Sequence, residues 1–144
     1  MSKKLSFFSI ALLVVMALAN RGFSQATGRW LGTGTGETVP PSPASTPVPI
    51  HPWQEWMGDF NAGEFVGVWL DEDENYGQFR GKIILSTPDE ALCRGKWTWL
   101  RQSGDLVDMG SFEIIFKYND WVCEGKWSTN YNLDNGTIEG KRIE

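Results

Sequence analysis

The chain has 144 residues, enough for one domain, and its 13 Lys and Arg against 18 Asp and Glu give a formal net charge of −5. An acidic surface repels phosphate backbones and anionic lipid surfaces, so the charge argues against nucleic acid and membrane surfaces as partners. The single histidine, His51, excludes a multi-histidine metal site. Any catalytic triad would also need this residue, and no set of catalytic residues stands out.

The first 26 residues predict a signal peptide. Lys3 and Lys4 precede an uncharged apolar run over residues 5–19, which suits a signal peptide better than a membrane span of ~20 residues. Small residues allow cleavage after Ala19 or after Ala26, and the polar residues that follow the apolar run favour the second site. We therefore expect a secreted, periplasmic or cell-envelope protein without a membrane span in the mature chain. The alternative is an uncleaved anchor.

Residues 27–62 form a Gly/Thr-rich and Pro-rich N-terminal segment. Residues 27–38 are rich in Gly and Thr, and residues 39–52 hold six of the seven prolines. Proline lacks the N–H that a β-ladder needs and favours polyproline II geometry, so the second stretch predicts a semi-rigid linker. Residues 30–38 and 53–60 offer one or two additional strands.

Residues 63–144 contain a repeated Gly-x-Trp unit, which predicts a β-meander domain. The three copies begin at Phe65-Val66-Gly67-Val68-Trp69, Cys93-Arg94-Gly95-Lys96-Trp97 and Cys123-Glu124-Gly125-Lys126-Trp127. The tryptophans are about 30 residues apart, and each copy is followed by a second Gly-containing segment, so one copy corresponds to one hairpin and its connection. Three hairpins give six strands.

Strict alternation supports strands rather than helices. In residues 91–100, Cys93 and Trp97 share one face, whereas Arg94 and Lys96 share the other. Glycine at the centre of nearly every apolar face relieves crowding on the concave side of a curved sheet, where neighbouring aromatic rings cover the gap. The predicted fold is therefore all-β, a strongly curved antiparallel meander of six to eight strands that forms a barrel or a half-open barrel.

The Phe65-x-Gly-x-Trp69 unit and its copies resemble MORN-type repeats, which pair such a strand with a Gly-containing return strand. The spacing in this chain is longer and less uniform than in that family. Gly-x-Trp near a strand start also resembles lipocalins and avidin-like barrels. The likeness covers residues 63–142 and rests on Gly and Trp, so it implies an architecture and carries over no binding residue.

Asp71, Asp73 and Asn75 have the D-x-D-x-N spacing of an EF-hand calcium loop, in which oxygen ligands surround one hard cation. The sixth position of such a loop is Gly and the twelfth is a bidentate acid, but Tyr76 and Lys82 occupy them here. These three residues are candidate calcium ligands. The alternative is an acidic hairpin tip that favours solubility.

The eight tryptophans divide into two groups. Trp69, Trp97 and Trp127 recur at one repeat position and are predicted core residues, and strand parity also places Trp99 and Trp121 inside. Three tryptophans lie outside the repeat and are candidate ligand-binding residues or caps of one barrel end: Trp30, Trp53 and Trp56.

Cys93 and Cys123 occupy equivalent positions in successive repeats, and an exported chain with two cysteines favours a disulfide. The predicted meander places one strand between them, which separates them by ~9–10 Å, whereas bridged Cα atoms are usually within ~7 Å. A disulfide and two buried thiols therefore both remain open.

Three functions fit these observations. The first is an exported, non-enzymatic binding module for a small ligand, a glycan or an envelope component. The second is a structural or protein-interaction domain with no small-molecule site, and the third is a small hydrolase or isomerase that uses carboxylates. If the sheet stays open, its unpaired edges could form homo-oligomers.

Overall fold

The computed structural model describes residues 26–41 and 48–144. The predicted signal peptide lies outside these ranges except for Ala26, and residues 42–47 of the Pro-rich stretch also lie outside them. The described chain forms eight antiparallel strands: β1 (Gly28–Gly34), β2 (Glu55–Asn61), β3 (Glu64–Leu70), β4 (Tyr76–Ser86), β5 (Glu90–Leu100), β6 (Leu106–Lys117), β7 (Val122–Thr129) and β8 (Asn135–Arg142).

The sheet closes into a barrel. Each strand pairs with its neighbours in sequence, and β1 also pairs with β8. The prediction of an all-β curved meander is confirmed, and β1 and β2 correspond to the two additional strands expected before residue 63. Every strand of the described chain has a partner on both sides, so the open sheet on which homo-oligomers through unpaired edges depend is not present there.

The two ends of the barrel differ in their connections. The odd-numbered strands all run towards one end, here called the loop end, which carries residues 35–41, 48–54, 71–75, 101–105 and 130–134. The opposite end, here called the turn end, carries the short connections 62–63, 87–89 and 118–121. The turn at Ala62 and Gly63 has positive φ at both residues (54° and 81°), which matches the twist of a tight hairpin.

The interior of the barrel is filled with aromatic side chains. Ring contacts run across it continuously, for example from Phe65 to Phe79 (5.1 Å between centroids) and from Phe79 to Phe112 (5.8 Å). Burial of such large rings is the main favourable term for a barrel of this size. The buried aromatic core comprises Trp30, Trp53, Trp56, Phe60, Phe65, Trp69, Phe79, Trp97, Phe112, Phe116, Tyr118 and Trp127.

Glycines on the inner face provide the volume that these rings occupy. A Cβ atom on Gly67 would lie 2.4 Å from Cζ of Phe79, and one on Gly32 would lie 2.3 Å from Cζ2 of Trp56. The concave Gly/Trp face expected from the alternation is therefore present. All eight strands carry an inner glycine: Gly32, Gly58, Gly67, Gly81, Gly95, Gly110, Gly125 and Gly140.

Trp69, Trp97 and Trp127 form a row of edge-to-face contacts near the loop end. Ring centroids are 6.0 Å apart in the first pair and 5.5 Å in the second. Their indole N–H groups donate to the backbone oxygens of Thr98 (2.8 Å), Ser128 (3.0 Å) and Thr35 (3.0 Å), respectively. Each indole therefore links the strand that carries it to a segment beyond the neighbouring strand, and the core prediction for these three residues is confirmed.

Trp121 departs from the prediction of an inward position. Strand β7 begins at Val122, so Trp121 belongs to the preceding turn, where strand parity does not apply. Its backbone has φ of 53°, its side chain is 37% exposed, and the Cζ atom of Arg142 lies 4.5 Å from the centre of its ring. Trp99, in contrast, is partly buried and packs against the core.

Candidate functional site

The described parts of the connection between β1 and β2, residues 35–41 and 48–54, lie at the loop end, and the second part reaches into the barrel. Thr38 and Ile50 pair across it through two backbone hydrogen bonds of 3.0 and 2.8 Å. Ile50 is buried, and Trp53 places its whole indole among the core rings. This connection therefore closes the loop end with apolar side chains that come from outside the strands.

The Asp71 carboxylate joins this connection to the loop between β3 and β4. Its side chain is 0% exposed. Oδ1 accepts hydrogen bonds from the backbone N–H of Asp73 (3.0 Å) and Asn75 (2.9 Å), whereas Oδ2 accepts from the N–H of His51 and the Asn75 side chain, both at 3.0 Å. Four donors therefore surround one buried carboxylate, which explains how a charged group is accommodated there.

The predicted calcium ligands come together only in part. Asp71 and Asp73 have ligand atoms within 4.8 Å of each other, and the third residue of that group is His51. Asn75 instead points its amide nitrogen at Asp71. The Nδ1 atom of His51 is 4.0 Å from Oδ2 of Asp71, and its Nε2 atom is 3.4 Å from Oε1 of Glu37. The sequence spacing did not indicate His51, because its position depends on the path of the long connection.

We expect about 1 mM CaCl₂, within the range at which extracellular calcium modules bind, to leave the melting temperature unchanged. Both oxygens of Asp71 already accept N–H groups, and a calcium ion would have to displace them. Differential scanning fluorimetry with and without the ion tests this. A rise in melting temperature that the Asp73→Asn variant abolishes would instead establish the calcium site.

Trp30, Trp53 and Trp56, the predicted ligand-binding residues, all lie inside the barrel. Trp30 donates its indole N–H to the backbone oxygen of Ala26 at 3.0 Å, and Trp56 donates to that of Thr33 at 3.1 Å. Their rings present no open face for a ligand to stack on. Any ligand that uses them would have to enter the closed core.

Trp53 is held under conformational strain. Its φ of 65° is unfavourable for a bulky residue. Its ring stacks on Phe79 with centroids 4.5 Å apart, and its buried Nε1 has no hydrogen-bond acceptor among the described residues. Burial of a large indole offsets these costs, so Trp53 acts as an apolar plug of the loop end.

Cys93 and Cys123 are free, buried thiols on β5 and β7, with β6 between them. Of the two alternatives left open by the sequence, the structure has the unbonded one. Burial raises the pKa of Cys93 to about 12, and burial together with the nearby Cys93 also raises the pKa of Cys123. Neither thiol is therefore activated as a nucleophile.

We expect neither cysteine to react with a thiol reagent at neutral pH while the chain is folded, and both to react in urea. Because the folded pKa of Cys93 exceeds its ordinary value of 9.0, the neutral thiol stabilises the fold below pH 9. That contribution is lost as the pH rises from 9 towards 12. Counting labelled thiols by mass spectrometry tests the first statement, and urea midpoints above pH 9 test the second. Rapid labelling of the folded chain would contradict the burial.

The outer surface carries a cluster of basic residues across β4, β5 and β7, which we call the basic face: Arg80, Lys82, Arg94, Lys96 and Lys126. Some of these residues form ion pairs with acids on adjacent strands. Two ion pairs involve the basic face, Glu64–Arg80 at 3.0 Å and Arg94–Glu113 at 2.5 Å.

Between β4 and β5, however, the strand register opposes like charges. Arg80 lies directly across from Lys96, and Lys82 lies directly across from Arg94. Lys96 donates to Oγ of Ser111 at 3.3 Å. Within residues 26–41 and 48–144, no ion pair involves Lys82, Lys96 or Lys126.

Two shallow depressions lie on this part of the outer surface and share Lys96. One, of about 810 Å³, crosses β5 to β7 and reaches Asn135 of β8. The other, of about 650 Å³, crosses β2 to β5. A ligand on the barrel exterior could contact side chains from several strands there.

A row of apolar side chains lies beside the basic face, and two of its members, Met57 and Val68, line the smaller depression together with Arg80 and Lys96. Leu31, Met57 and Val68 lie directly across from one another on β1, β2 and β3, and all three are exposed. Leu70 and Tyr76 extend this row onto β4. We call these five residues the apolar row.

Comparison with known protein families, with curated proteins and with solved structures found no match to this chain. Among the described residues, no helix is both long and apolar enough to cross a membrane.

Proposed function

We propose that this chain is an exported, non-enzymatic binding module that recognises a glycan or another envelope component with the outer surface of its barrel. The filled interior is the observation that carries the proposal. Pockets for small molecules are typically ~300–1,000 Å³ and concave, and depressions of that size lie on the exterior here, over β2 to β8.

The distribution of acidic residues supports a role in binding rather than hydrolysis. Asp71 is the one buried acid among the described residues, and four N–H donors already occupy its carboxylate. Hydrolysis by carboxylates needs two acids that face one substrate. The described part of the barrel interior contains no such pair.

The apolar row favours a protein as an alternative partner. Exposed, contiguous apolar side chains are uncommon on monomeric proteins and mark contact surfaces. Leu31, Met57 and Val68 form such a surface across three strands. In this second reading the barrel is a structural or interaction domain.

Co-sedimentation with the insoluble extracellular material of the producing cells tests the main proposal. We expect the folded chain to sediment with this material after its lipids are extracted, whereas an unrelated acidic protein stays in solution. Chromatography of the supernatant should detect no released fragments. Failure to sediment would refute the binding function, and released fragments would indicate an enzyme.

The turn end of the barrel bears on the cleavage site of the proposed signal peptide. Ala26 is buried, and its backbone oxygen accepts the hydrogen bond from Trp30. Cleavage after Ala26 would remove this acceptor, whereas cleavage after Ala19 would keep it. We therefore expect N-terminal sequencing of the exported protein to begin at Asn20, and a sequence that begins at Thr27 would contradict this.

A further inference from the structure

We propose that the basic face binds a short acidic oligosaccharide through its carboxylate groups, with Lys96 at the centre of the contact. The inference rests on the proposed function and names the surface and the ligand class that it would use. The surface is defined by the strand register, since Arg80 and Lys82 of β4 lie opposite Lys96 and Arg94 of β5.

The arrangement of charge is unfavourable in the free protein. Like charges directly opposite on neighbouring strands destabilise a sheet. The five basic residues have two acidic ion-pair partners, Glu64 and Glu113, which also lie across from Lys82 and Lys126. Glu124 and Glu139 adjoin Lys126. Between β4 and β5 the like charges nevertheless face each other, in a chain whose net charge is −5. An anion bound between β4 and β5 would relieve this repulsion, so the clustering is explained by a negatively charged partner.

The neighbouring polar groups point to a glycan. Arginine presents a planar fork of donors that matches a carboxylate. Ser111, Ser128 and Asn135 line the larger depression beside Arg94 and Lys96, where they offer neutral hydrogen-bonding groups to sugar hydroxyls. A ligand made of alternating carboxylates and hydroxyls, such as an oligomer of uronic acid, fits this combination.

Size and charge limit the ligand to a short segment. The four strands β4 to β7 span about 14 Å, given an interstrand spacing of ~4.8 Å. Beyond this face acidic residues outnumber basic ones, so a long rigid polyanion or a flat anionic membrane would meet repulsion on either side. Nucleic acid and lipid surfaces are therefore disfavoured relative to a tri- or tetrasaccharide.

Isothermal titration calorimetry with tetragalacturonate tests the proposal, with neutral maltotetraose as the control sugar. We expect binding of tetragalacturonate that weakens as NaCl screens the charges, and no binding of maltotetraose. Lys96→Gln should weaken binding about fivefold or more, and Lys82→Gln should act similarly. The matched control is Lys141→Gln, which removes an exposed strand lysine from β8, outside the basic face, and should leave binding unchanged.

A stability measurement separates a binding role from a structural one. Because Lys96 opposes Arg80, Lys96→Gln should keep or raise the melting temperature while it weakens binding. If tetragalacturonate does not bind, or if Lys141→Gln weakens binding as much as Lys96→Gln, the proposal is wrong. Tighter binding of a DNA oligonucleotide or of anionic vesicles would also overturn it. Co-sedimentation that persists in Lys96→Gln would refute this face and leave the general binding function standing.

Discussion

Asp71→Ala should lower the free energy of unfolding by about 3 kcal/mol or more, because hydrogen bonds to a buried charged group each contribute about 1.5–3 kcal/mol. The substitution removes the acceptor of four N–H donors, including the backbone of His51. It therefore weakens both the β3–β4 loop and the closure of the loop end. Urea unfolding followed by tryptophan fluorescence measures the loss.

Two further variants locate the effect. Asp73→Ala removes an exposed acid from the same loop and should change stability little, since its backbone N–H still reaches Asp71. Asp71→Asn can keep the two bonds at Oδ1, but its amide nitrogen would face the donors of His51 and Asn75. Hydrogen exchange at the His51 amide should then accelerate. If Asp71→Ala costs no more than Asp73→Ala, the linking role of Asp71 is wrong.

Gly95→Ala should cost about 3 kcal/mol or more, or prevent folding, because overpacking a filled core already costs about 1–3 kcal/mol without a backbone clash. The new Cβ would lie 2.0 Å from the backbone oxygen of Arg80 and 2.4 Å from Cα of Gly81, directly opposite in register. Backbone atoms cannot move aside as a flexible side chain can. Urea unfolding and near-ultraviolet circular dichroism measure the effect.

The control is Gly104→Ala in the β5–β6 loop. A Cβ there would meet nothing within 4 Å, and only the φ of 97° opposes it. Its cost should be about 1 kcal/mol, the usual penalty for placing a non-glycine residue at a positive φ. Equal stabilities of the two variants would show that the inner glycines do not set the packing of the barrel.

Sequence periodicity predicted most of the barrel wall, because alternation and inward glycines are local signals. The Gly-x-Trp segments ending at Trp69, Trp97 and Trp127 became β3, β5 and β7. Closure of the sheet depended on β1, whose pairing with β8 is a contact between distant residues that no local pattern specifies. Trp121 was predicted inside because the alternation of β7 was extended back to it. Strand β7 begins one residue later, at Val122, so the alternation does not apply to Trp121.

The candidate site was less predictable, because it depends on tertiary positions. The D-x-D-x-N spacing predicted Asp71 as a calcium ligand. In the structure, residues 48–54 bring the backbone N–H of His51 to the Asp71 carboxylate, which accepts its hydrogen bond. The plugging position of Trp53 depends on the path of the same residues. The opposition of Arg80 and Lys96 requires the β4–β5 register, which the sequence pattern leaves undetermined.

The most direct test of a filled barrel that binds with its exterior is a ¹H–¹⁵N NMR titration of the labelled chain. The titrant is a soluble digest of the extracellular material with which the protein co-sediments. We predict that backbone amide signals of β4 to β7 shift, while the indole N–H signals of Trp69, Trp97 and Trp127 keep their positions, because their hydrogen bonds lie inside a closed core. Shifts of these indole signals without shifts of the backbone amide signals of β4 to β7 would place the ligand inside the barrel and contradict exterior binding.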